Sequence, residues 1–430
     1  MKPIIKIIVA AIIAFDIFIT TDVFAIEYAI QNGTIITVSG DTIANGTLVI
    51  HNGRIAGIGG DVATPKTAMI VDASGLFVYP GMIDAATSLG LSEVGAVAAT
   101  QDVYEMGTFN PHIKAEIAIN PHSEHIPVAR CNGITAAMVV PGGAIISGQC
   151  ALINLAGWTI DEMLLQAPVG FIVNFPRMPQ DEPRRQPSLR RDLEKLKRKT
   201  LEQIRELEQF VGNAKRYHRL WEKYNQSPQP PAPNVDLALE ALAPVVRNEA
   251  PLIVNVDQEE DIKNAIEFVK KMELRAIFLG VREGWKVAPQ LAENQIPTLV
   301  GPVLRSPGSK DPYDAIYANA ATLHRAGVKI AIITQSASDV RSLPYHAGTA
   351  AAFGLPKAEA LKAVTIYPAE ILGVADRVGS LDVGKIANVI VTDGDPLEMT
   401  TQIKHLFIAG EKIKLESKHT RLYEQFKERN

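Results

Sequence analysis

Two histidines three residues apart, His122 and His125 in "NPHSEHIP", flank Glu124. On a helix that spacing can put both imidazoles on one face, and paired imidazoles are a usual start for a divalent-metal site. The plainer reading is a polar helix start after Pro121. His346 in "LPYHAG" is placed to line a pocket, while His112 in "FNPHIK" reads as a loop residue or a catalytic one. Glu93, Gln101, Asp102 and Glu105 lie in the long stretch 92–112. The carboxylates among them are candidates for general acid–base work, or else solvated loop residues. The glycine-rich "PGGAIISGQ" (141–149) lacks the Lys-Ser/Thr ending of a phosphate-binding loop and reads as a backbone-rich turn. His51, His218, His324, His405 and His419 read as residues of the surface or of the flanking β segments.

The elements that must position these groups fall into two rhythms. Eight short apolar runs occupy 76–84, 133–141, 151–156, 170–176, 251–257, 275–281, 297–302 and 329–335. Continuous apolar strands suit a sheet covered on both faces, and most are separated by helix-length stretches. The expected architecture is therefore α/β, a distorted (β/α)8 barrel over 76–380. Residues 26–75 and 381–416 alternate and turn often, with Asn-Gly between apolar runs at 32–33 and 52–53. These two end segments are expected to pair into one composite β-sandwich, followed by a helical tail at 417–430. A charged insert, 182–235, interrupts the barrel. Its Leu189, Leu193, Leu196, Leu201 and Ile204 have near-helical spacing and predict an amphipathic helix lying on the barrel. A proline-rich connector, "NQSPQPPAPN", closes the insert.

The 430 residues are 47% hydrophobic and 21% charged, enough for a large core and a smaller second unit. A net charge of -4 offers no bulk basic surface for nucleic acid. With only two cysteines, a disulfide framework or a Cys-rich zinc site is excluded. Cys131 and Cys150 read as small buried thiols, with a single disulfide as the alternative. Lys2 and Lys6, the apolar "IIVAAIIAF" and "VFA" before Ile26 have the form of a signal peptide over 1–25. A periplasmic or secreted protein is expected, with no membrane contact beyond the leader.

Three stretches carry a resemblance: "GTIITVSGDTIANGTLVIHNGRIAGIG", "YPGMIDA", and "ALKAVTIYPAEILGVADRVGSLDVGKIANVIVTDGDPL". The chain resembles the amidohydrolase superfamily in its imidazolonepropionase-like branch. The resemblance implies a metal-dependent hydrolase of non-peptide C–N bonds, whose ligands sit at the ends of barrel strands. The matching positions are degenerate. Where the family has Asp-X-His-X-His, this chain has Asp84, Ala86 and Ser88; the later ligand positions hold Asn174, Asn255, Gly280 and Gln335. No metal or other cofactor is therefore expected, and the resemblance implies a non-hydrolytic protein with a small-molecule ligand. Its partner would be an active amidohydrolase paralogue or a second copy of itself. The alternative is an active hydrolase of small amides, cyclic amides or dipeptide-like compounds. It would bind zinc through His122, His125 or His346, or work without metal through groups such as Glu93 and Asp102.

Overall fold

The computed structural model describes residues 27–180, 187–228, 231–308 and 311–429. The expected signal peptide lies outside the described residues.

The N-terminal segment forms β1 (Tyr28–Ile36), β2 (Thr42–His51), β3 (Arg54–Gly59), β4 (Met69–Asp72) and β5 (Phe77–Pro80). The C-terminal segment adds β14 (Val389–Thr392), β15 (Ile403–Ile408) and β16 (Glu411–Ile413). They join in one sheet, β16-β15-β14-β5-β1-β2-β3, with β4 on β1. The sheet curls over its own core. Tyr28 of β1 meets Phe407 of β15 edge-on at 5.1 Å although two strands separate them in the sheet. Ile30, Leu48, Ile50, Val78 and Val391 fill the same cluster. Of the Asn-Gly pairs at 32–33 and 52–53, only the second turns a hairpin. Asn52 and Gly53 (φ 48 and 75) join β2 to β3, whereas Asn32-Gly33 sits inside β1 at a register shift, as a bulge.

The second sheet is the barrel, in the order β13-β12-β11-β10-β9-β8-β7-β6. Its strands are β6 (Met82–Thr87), β7 (Ile134–Val139), β8 (Ile146–Asn154), β9 (Leu164–Asn174), β10 (Leu252–Val256), β11 (Ala276–Gly280), β12 (Thr298–Val300) and β13 (Ile330–Ile332). The apolar run 76–84 is thus divided at Gly81 between the two sheets. Gly81 permits the close approach, because a Cβ there would lie 2.2 Å from Thr135 Cγ2.

Eight strand–helix units were expected, and here the fold differs. β8 runs antiparallel to both β7 and β9. Residues 140–145 are too few for the dozen-residue crossover a parallel neighbour needs. The chain turns back instead through Gly142 and Gly143 (φ 97). Between β13 and β6 the seam is closed by Gln335 N donating to the Ala86 carbonyl at 2.9 Å.

The charged insert contains the helix Pro187–Gln226. Its buried stripe is Leu193, Thr200, Leu207, Val211, Ala214 and His218. Leu196 and Leu201 point to solvent instead, at 47% and 41% exposure. His218, expected at the surface, is buried, with Nε2 donating to the Leu239 carbonyl at 3.0 Å. Cys131 and Cys150 are free thiols, and burial raises the pKa of each. No described helix is long and apolar enough to cross a membrane.

Candidate functional site at the barrel mouth

The C-terminal ends of the parallel barrel strands bring the degenerate positions together, as the barrel geometry requires. Ala86, Ser88, Asn174, Asn255 and Gln335 line one cavity of ≈ 370 Å³. Asn174, Asn255 and Gln335 also line an adjoining cavity of ≈ 350 Å³ with Arg177, Asp257, Asp261 and Arg305. Gly280 stands beside both: a Cβ built on it would be 3.4 Å from Gln335 Nε2 and 3.5 Å from Asn255 Oδ1.

The floor is an amide ladder. Asn174 and Asn255 are register partners on β9 and β10, so their side chains share a face. Asn255 Nδ2 donates to Asn174 Oδ1 at 2.9 Å. Asn174 Nδ2 donates in turn to the Ala144 carbonyl at 2.8 Å and to Ser147 Oγ at 2.9 Å. Asn174 is thereby spent on holding the β7–β8 turn. Ser88 Oγ accepts from Ala337 N at 3.2 Å.

Asp84 keeps the family's position but faces inward. It is fully buried. Thr334 Oγ1 donates to its Oδ2, while Ala86 N and Thr334 N each approach Oδ1 at 3.3 Å. Burial pushes its carboxyl up to about 7, against those hydrogen bonds. Its contacts tie β6 to the end of β13.

Gly280 adopts φ 89, and a Cβ there would meet Asp257 Oδ1 at 2.5 Å. The carboxylate of Asp257 fills the space that a longer side chain on β11 would need. Val281 and Gln335 are also left-handed, at φ 48 and 64. Each such non-glycine conformation costs roughly 1–3 kcal/mol and persists where surroundings over-determine it, characteristically at functional sites.

These donors do not fit a catalytic divalent metal, which takes about three imidazole, thiolate or carboxylate ligands. Ala86 and Gly280 offer none, and Asn174 Oδ1 is already engaged. Asp257, half-buried at the mouth, is paired with Arg177 at 3.3 Å. Among the described residues, no three His, Cys, Asp or Glu side chains converge on one point.

The candidates outside these positions are scattered. His125 Nε2 donates to the Glu93 carbonyl at 3.0 Å, while the exposed His122 ring packs edge-on against Trp158 at 4.7 Å. The two rings therefore serve different neighbours rather than one ion. His346 lies in neither mouth cavity. It is buried, its Nδ1 accepts from Val303 N at 3.0 Å, and burial pushes its pKa down to about 4. A neutral imidazole serving as acceptor there locks the β12 exit onto the helix Leu343–Ala352. Asp102, Glu105 and His112 are exposed. Glu93 holds a buried Oε1 without a partner, while Gln101 and Ser92 reach the first cavity. Arg177, Asp257, Asp261 and Arg305 escaped the sequence reading. Their signal was position alone, at the ends of apolar runs or a few residues past them.

Residues 315–413 match the model of the Amidohydrolase family. An adenine deaminase of Listeria monocytogenes is 29% identical over 154 residues, 35% of this chain and 20% of that one. A D-hydantoinase of Geobacillus stearothermophilus is 40% identical over 79 residues, 18% of this chain and 16% of that one. The chain thus spans a fifth or less of these relatives. The solved amidohydrolase from Thermotoga maritima MSB8 matches far more: TM-score 0.79 at 25% identity, over 90% of this chain and 99% of that one. The solved molinate hydrolase shares the fold at TM-score 0.54 and 17% identity, over 91% of this chain and 95% of that one. Motifs, architecture and likeness agree, and the chain belongs to the amidohydrolase superfamily.

Proposed function

We propose that this protein is an exported, non-hydrolytic amidohydrolase of the imidazolonepropionase-like branch, which holds a small polar molecule at the barrel mouth without metal. It serves as a binding subunit or as the partner of an active paralogue. The observation that carries this reading is the convergence of Ala86, Ser88, Asn174, Asn255, Gly280 and Gln335 on one mouth. What they present is neutral amide and hydroxyl chemistry. Such groups orient a ligand by paired donors and acceptors, but they do not lower the pKa of a water. Export rests on the leader-like 1–25. By analogy with the relatives, the ligand is a small amide, a cyclic amide or a dipeptide-like compound.

A second reading, metal-free hydrolysis, draws on the second cavity. Asp257 is ion-paired with Arg177, whereas burial pushes Asp261 up to about 6. Two carboxyls in unlike environments at one cavity are what acid–base catalysis uses. Against it, Asp261 Oδ1 already accepts from Met178 N at 2.8 Å, a structural duty.

Calorimetry and turnover assays on a panel of small amides, cyclic amides and dipeptides, with and without a chelator, separate the readings. Saturable binding without turnover is the expected result. Turnover that survives chelation and is lost in Asp261→Asn would select the second reading. Chelator-sensitive turnover would overturn both.

A further inference from the structure

A cavity of ≈ 230 Å³ lies away from the mouth, lined by His122, Glu124, Arg130, Met163 and Arg421 among others. It is formed where the helix Lys418–Phe426 packs on the helix His125–Arg130. Arg130 is its anomaly. Nη1 donates to the Leu155 carbonyl at 3.2 Å, but Nε is shut off from solvent without a partner. Among the described residues Arg130 joins no ion pair, and its neighbour Cys131 is a thiol whose pKa burial raises, which supplies no counter-charge. A guanidinium stays protonated even where burial disfavours it, and buried charges are ordinarily paired. Arg421 adds a second guanidinium. Its contacts with Glu124 and Glu416, both 3.8 Å, are too long for charge-assisted hydrogen bonds.

We propose that this cavity is an oxyanion site, which takes the phosphate or carboxylate group of a small anion on Arg130, with Arg421 closing over it from the C-terminal helix. The site is independent of the mouth and of the function proposed there. A reporter stands next to it: the exposed ring of Trp158 packs on His122, which lines the cavity.

The test titrates the whole purified protein with inorganic phosphate and, separately, with acetate at constant ionic strength, read by calorimetry and by tryptophan emission. Saturable binding is expected, with an emission change lost in Trp158→Phe. Stronger phosphate binding would identify a phosphate-bearing ligand, and stronger acetate binding a carboxylate. Arg130→Met should weaken binding at least tenfold. Arg421→Ala, on an exposed face and therefore safe for folding, should weaken it severalfold. Absence of saturable binding by either anion, or an affinity unchanged in Arg421→Ala, would overturn the proposal.

Discussion

Asp84 keeps the strand-end position of the family's motif and ties the barrel seam together. Its oxygens face Thr334 and the barrel seam. Because burial raises its carboxyl from 3.8 to about 7, the folded state keeps a proton that the unfolded chain has released over that range. The contribution of Asp84 to stability is therefore greatest below about pH 4 and declines as pH rises towards 7, by on the order of a few kcal/mol. Asp84→Asn should remove this decline, so that the Tm of the variant relative to the parent climbs as pH rises from about 4 to 7. Parallel curves would refute the burial argument. Gly280 makes the complementary case. Gly280→Ala should destabilise by about 1–3 kcal/mol in denaturant unfolding, from the left-handed backbone and the displaced Asp257 carboxylate. A neutral result would mean that Asp257 yields freely. The degenerate ligand positions were legible only through the family resemblance, laid onto the strand ends that the apolar runs mark. The glycine's φ and the intruding Asp257 were not, since both depend on how β10 and β11 sit side by side.

At the scale of elements, the sequence yields lengths better than orientations. The helix Pro187–Gln226 was foreseeable from its charge and leucine spacing, but the choice of face was not. Leu189, Leu193, Leu196, Leu201 and Ile204 suggested one stripe, whereas the barrel core receives Ile204, Leu207 and Val211, with Leu193 buried and Leu196 and Leu201 exposed. Many of the helix's neighbours arrive from distant sequence: Phe210 stacks on Phe109 at 4.5 Å, and Lys271 pairs with Glu208 at 2.7 Å. Leu207→Ala should thus cost about 2–5 kcal/mol through the cavity it leaves, while Leu201→Ala should stay within about 0.5 kcal/mol. Equal costs, measured by denaturant unfolding, would mean the helix does not dock as described. The reversal of β8 was hidden for a similar reason. "ALINLA" carries the apolar signature of a barrel strand in either direction, and only the start of β8 at Ile146, with six residues between it and β7, excludes a crossover.

Across the whole molecule, the two chain ends and the long middle keep the frame of the superfamily. The composite sheet pairs β5 with β14, and the barrel carries its strand ends to a common mouth. The pairing of the ends was legible because both have the same short, turn-rich strands. The charged rim of Arg177, Asp257, Asp261 and Arg305 was not, because these residues meet only once the β9, β10 and β12 exits are folded together. On the proposed reading scaffold and metal chemistry have parted: the frame persists, while the mouth presents amides around Gly280. The most direct test is elemental analysis of the purified protein after exposure to zinc, iron and manganese and then extensive dialysis. The account predicts metal far below one equivalent per chain; an equivalent of any of these ions retained after dialysis, and lost on substitution of mouth residues, would contradict it.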